Sequence, residues 1–171
     1  MNTADLYSVA KEFQSNPKSM DLCGRFLDRL NQETSVDEIS NILSLDYERI
    51  AVHALLRIVE LLKEEDIDLL LCIALWYYNH GMDQEAYKFM RRAKEAKPLC
   101  LPVLQTEIYL NYEHGADFVL AVCKDALIHH PDDRWLNEVK ETIEQTGKLD
   151  RLDGPPLKSR WQSALIGRYK S

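Results

Sequence analysis

The chain has 171 residues, enough for one domain with a substantial core. Its formal charge of −7 is uneven: residues 147–171 hold six Lys/Arg against two Asp, net +4, which leaves −11 on residues 1–146. An acidic body argues against a nucleic-acid surface, which must neutralise phosphates, and makes a basic or apolar polypeptide the partner to expect.

Gly and Pro number only six each, so long stretches run unbroken, as helices prefer. The first residues lack a cationic region followed by an apolar stretch, and no apolar run approaches the ~18 residues of a membrane span. Both features predict a cytoplasmic protein with no membrane insertion. The four cysteines are far apart in sequence and form no Cys-x-x-Cys pair, a pattern of buried, reduced thiols.

In chain order, Leu6, Val9 and Phe13, then Pro17, then Leu22, Phe26, Leu27 and Leu30 predict a helix pair over 3–33. Ser35 and Glu38 have capping-box spacing before a helix with Val36, Ile39 and Leu43. Val52, Leu55, Leu56, Val59 and Leu62 mark its partner in 47–63. Residues 67–80 place Leu70, Ile73, Ala74 and Tyr77 on one helical face; Gly81 makes a turn, and Ala86, Met90 and Ala93 line a second helix that Pro98 stops. His80-Gly81 recurs 34 residues later as His114-Gly115, and Pro98 recurs 33 residues later as Pro131. The one-residue difference places a deletion at the 115–118 turn. Asp133 predicts the N-cap of a last helix, Trp135–Gln145.

This period and pattern resemble the tetratricopeptide repeat, clearest over 67–131. Leu70 stands in the family's Trp slot, Ile73 in the Leu slot, Ala74 in the small slot and Tyr77 in the Tyr slot, with Ala86, Met90, Ala93 and Pro98 completing it. Glu107 and Asn111 depart from the pattern in the second copy. The resemblance implies an all-α fold, a right-handed α-α superhelix of antiparallel helix pairs over 1–146, followed by a basic tail over 147–171. Such a superhelix has one concave face lined by the first helix of each pair. Its expected lining is Leu71, Leu75, Tyr78 and Asn79, then Gln105, Tyr109 and Tyr112, with Asp37 and Asn41 from the weaker repeat. Leucine, tyrosine and amide side chains suit an extended or helical peptide. The expected function is a protein-binding adaptor or chaperone. Alternatives are a scaffold subunit assembled through its tail, and a relative of the small secretion chaperones of bacteria.

In the tail, Gly154-Pro155-Pro156 is a break, and Leu157, Trp161, Leu165 and Tyr169 then fall four apart, one face of a short helix if helical. That face has three candidate docking places: its own body, a second copy or a partner. The plain alternative is a last helix packed on the terminal repeat. No phosphate loop, His-Glu-x-x-His or Gly-x-Ser-x-Gly is present in the sequence. The expectation is therefore no catalytic residue, cofactor or metal. His80, His114, His129 and His130 fall at predicted helix ends, where a partly charged imidazole suits the negative dipole end.

Overall fold

Among the described residues, five helices begin where a short polar side chain accepts an orphan backbone N–H. The computed structural model describes residues 5–45, 47–149, 151–157 and 161. Among these, the regular structure is all helical: α1 (Leu6–Ser15), α2 (Met20–Gln32), α3 (Val36–Asn41), α4 (Glu48–Leu61), α5 (Ile67–Asn79), α6 (Asp83–Ala96), α7 (Leu101–Leu110), α8 (Ala116–His129) and α9 (Arg134–Thr146). Asp5, Ser19, Ser35, Asp66 and Asp133 each accept the N–H three residues on, at 2.8 to 3.3 Å. None of these helices is long and apolar enough to cross a membrane.

The Ser35 cap forms, but its reciprocal half comes from elsewhere. Ser35 N–H donates to Glu33 Oε1 at 3.0 Å, beside the Glu33–Arg29 ion pair at 2.9 Å. The Ser35 and Thr34 amides together with Arg29 hold the Glu33 carboxyl below its ordinary range, against a smaller upward push from burial. The helix begun at Ser35 is brief, and it tightens into a 3-10 turn over Ile42–Leu45.

The two glycine turns differ by one residue, at the deletion expected from the repeat. After α5, Gly81 takes φ 70°, and Met82 N–H donates to Tyr77 O at 3.0 Å to close the helix end. After α7 a 3-10 turn over Tyr112–His114 leads to Gly115 at φ 107°, and α8 starts at the next residue.

Packing follows chain order. α1 packs on α2 and α3 on α4; α5 makes its most extensive contact with α6 and also meets α4 and α7; α7 meets α8, and α8 meets α9. Ala74, Ala86 and Ala93 are completely buried, which is how small side chains bring two helices close. Tyr77 stacks on Phe89 with ring centroids 5.7 Å apart, fixing the same pair toward its turn. α7 divides the interior: Val103 and Leu110 belong to the larger core of α1–α6, whereas Leu104 and Ile108 belong to a smaller one with α8 and α9.

Two expectations follow. Ala74→Leu forces extra volume into a filled contact and lowers unfolding stability by about 1–3 kcal/mol, read from the urea midpoint. His53 on α4 is partly buried; burial first, then the Arg49 charge, holds its imidazole below the ordinary value of 6.5. As pH falls through 6.5 the unfolded chain takes up this proton before the folded one, so stability declines on the acid side. His53→Gln flattens that decline between about pH 7.5 and 5.5, measured by urea midpoints at each pH.

Candidate functional site

α5 is apolar almost all round, and the structure buries every residue from Leu69 to Leu75. Leu71 is 0 % exposed and Leu75 4 %, so neither lines an open wall, contrary to the groove expected from the repeat. Neighbouring α4, α6 and α7 cover the side that repeat spacing alone leaves open. Gln105 is also withdrawn from solvent at 2 % exposure, and its amide donates to Asp133 Oδ1 at 3.1 Å, tying α7 to the N-terminus of α9.

The three expected tyrosines do come together. Tyr78 at the end of α5 meets Tyr109 of α7 edge-on at 5.8 Å, and Tyr109 stacks on Tyr112 at 6.1 Å. All three are partly exposed, Asn79 beside them is exposed, and Asp37 and Asn41 lie exposed on the distant α3. Burial first, then Glu113, pushes the Tyr78 phenol up to about 12. Tyr109 rises for the same leading reason, with Tyr112 and Asp153 reinforcing and Arg151 opposing. The Tyr78 and Tyr109 phenols are thus held further from ionisation, as neutral hydrogen-bond donors. Tyr87, on α6, donates to Leu110 O at 2.9 Å and pins the end of α7 that carries the cluster.

The chain then returns across the body. Gly147 ends α9 at φ 69°, and Leu149 and Leu152 pack on the smaller core. Residues 151–157 have no regular secondary structure; Pro155 and Leu157 turn inward while Pro156 stays exposed. Leu157 and Trp161, 5 % and 4 % exposed, join the larger core with α5. Trp161 Nε1–H donates to Asp66 Oδ2 at 3.1 Å, while Asp66 Oδ1 caps α5 through Leu69 N–H at 3.0 Å. Leu157 and Trp161 thus pack on the core around α5, where the indole finds its acceptor, and not on the terminal repeat; the rest of the short helix expected beyond Pro156 lies outside the described residues. Leu165 and Tyr169 lie outside the described residues.

Beside Pro156 is a recess of about 590 Å³ at the N-terminal ends of α5, α7 and α9. Asp68, Leu101, Pro102, Trp135 and Glu138 are among its walls. Arg134 at its edge is paired with Glu138 at 2.6 Å, so the balance of the recess is acidic. Asp66, Asp68 and Trp135 were not among the expected binding residues. A polar residue directly before an apolar run was the signal for Asp66 as a cap, but nothing in spacing pointed to its second hydrogen bond.

The histidines and cysteines have local roles in the fold. His80 Nδ1–H donates to Trp76 O at 2.7 Å, its ring lies 4.2 Å from the Trp76 ring, and Nε2 sits 3.5 Å from Glu48. Trp76 Nε1–H also donates to Glu48 Oε1 at 2.6 Å, so this cluster joins α4 to α5. His130 bonds Leu99 O at 2.8 Å, and His114 lies edge-on to Phe118. Burial pushes the Cys123 thiol up to about 12, which suppresses its thiolate, and Cys72 is buried as well. No group of three His, Cys, Asp or Glu side chains able to hold a metal occurs among the described residues.

The double use of Asp66 makes a measurable prediction. Asp66→Ala loses a cap and an indole acceptor, about 2 kcal/mol together, and Trp161→Phe loses about 1 kcal/mol. In a double-mutant cycle by urea unfolding, the combined variant is less destabilised than the sum. Strict additivity would place the indole elsewhere.

Comparison with known proteins gives no match to a family model, to a curated protein or to a solved structure, so function is argued from the chain's own geometry.

Proposed function

We propose that the chain is a tetratricopeptide-like right-handed α-α superhelix that acts as a protein-binding adaptor or chaperone, holding a peptide or helix of apolar or basic character. The observation that carries this reading is the row Tyr78–Tyr109–Tyr112, on α5, on α7 and in the 3-10 turn after α7, with ring centroids 5.8 and 6.1 Å apart. Tyrosines offer rigid contact area at small entropic cost and keep a donor for a peptide carbonyl. The acidic recess at the other end of α7 adds the preference for a positive segment.

Several features favour binding over catalysis. Catalysis needs a nucleophile or an acid–base pair with separated pKa values in one site. The Cys123 thiol is held neutral, and the upward-shifted phenols are suited to donating hydrogen bonds. Self-assembly through the tail is less well supported, because Leu157 and Trp161 are already buried against their own chain. The bacterial secretion chaperones remain one form of the chaperone reading, with an apolar export segment as ligand.

A photo-crosslinking amino acid placed at Tyr112 should capture a discrete partner from the native lysate, while the same group at the exposed Lys88 of α6 should not. Tyr109→Ala in the full chain should weaken capture about tenfold, the usual effect of removing one central aromatic anchor. Equal capture from both positions would remove the reading.

A further inference from the structure

The C-terminal segment lies over the ground a partner would use. It leaves α9 at Gly147, passes Tyr109 closely enough for Arg151 and Asp153 to act on its phenol, borders the acidic recess with Pro156, and ends with Trp161 on Asp66 at the start of α5. It thus runs from α9 past α7 to α5, which are successive helices of the proposed concave face.

Its mode of attachment is that of a docked peptide. No backbone hydrogen bond joins residues 151–157 to a helix among the described residues; their one backbone bond is internal, Leu157 N–H to Pro155 O at 2.8 Å. Alternate side chains enter instead, Pro155 and Leu157 inward around an outward Pro156, followed by the indole of Trp161. Charge matches too. Asp66, Asp68, Asp133 and Glu138 stand at the helix N-termini beneath or beside it, and residues 147–161 carry in sequence Lys148, Arg151, Lys158 and Arg160 against Asp150 and Asp153. The recess beside Pro156 leaves part of the channel unfilled.

The geometry points to a peptide channel closed by the chain's own C-terminal segment, whose outside partner is a basic, extended peptide with an inward proline–x–leucine and a tryptophan four residues further on. The inference rests on the protein-binding reading above and specifies its ligand and its regulation. A tethered segment is present at an effective concentration of about millimolar, so an outside peptide of equal quality is excluded until the tether lets go. The chemistry that fixes the resident segment, an indole donor to Asp66 with Pro155 and Leu157 turned inward, is the chemistry a competitor must reproduce.

The test uses the full chain and a fluorescein-labelled peptide of residues 147–171 as the probe, with binding followed by anisotropy. Trp161→Ala and Leu157→Ser in the full chain should bind the probe at least about tenfold more tightly than wild type does. A probe carrying Trp161→Ala should not bind, and added salt should weaken the authentic probe. Equal affinity for wild type and variants, or no binding to any of them, overturns the inference. Binding only as exchange of tails within a dimer, seen by sizing, overturns the outside partner. Hydrogen exchange of wild-type residues 149–157 provides a readout that needs no variant. Exchange at least about a hundredfold faster than in α5 is expected for a segment that opens alone, and protection equal to α5 overturns it. Capture at position 112 that is the same in wild type and Trp161→Ala defeats the closure while leaving the wider binding reading intact.

Discussion

The structure depends on the dry surroundings of α5. From Leu69 to Leu75 every residue is buried, and Ala74 on α5 with Ala86 and Ala93 on α6 bring the two helices close enough to exclude solvent between them. A helix that is apolar almost all round must find neighbours in several directions. α4, α6 and α7 supply them, and Leu157 and Trp161 add to the same core from far along the chain. Burial of this one helix is what brings the middle of the chain and its C-terminal segment into one structure.

Polar ties then set how the surrounding pieces sit. Asp66 and Asp133 each use a carboxylate for two purposes, capping a helix and accepting from a distant side chain: Trp161 in one case, Gln105 in the other. A helix cap is already desolvated and oriented, so the second hydrogen bond adds register at little further entropic cost. Glu48, at the start of α4, accepts from Trp76 and lies beside His80, which ties α4 to the end of α5 without a cap. These ties lie at helix ends, leaving the helix interiors to packing.

The proposed binding surface inherits both layers. Tyr78, Tyr109 and Tyr112 are placed by the ends of α5 and α7, and Tyr87 on α6 secures the second of those ends. The acidic side chains gather where α5, α7 and α9 begin, because acidic residues serve as caps and favour the positive helix end. A strip with neutral phenols at one end and carboxylates at the other suits a basic chain with apolar anchors, which describes the chain's own last residues.

Helix positions and their breaks were written locally in the sequence. The apolar spacing of Leu70, Ile73, Ala74 and Tyr77, the turn at Gly81 and the cap at Asp133 act over a few residues, so their consequences are visible without tertiary knowledge. Which face of a buried helix is open is a different kind of quantity. Leu71 and Leu75 carry the same spacing signal whether their side is bare or covered, and only the position of α7 and the other neighbours decides it. The same holds for Gln105, taken up by Asp133 28 residues away, and for Trp161, taken up by Asp66 95 residues away. Periodicity fixes the contacts a residue makes within its own helix; side-chain partners separated by many residues depend on how the whole chain closes, and the tertiary structure alone decided those.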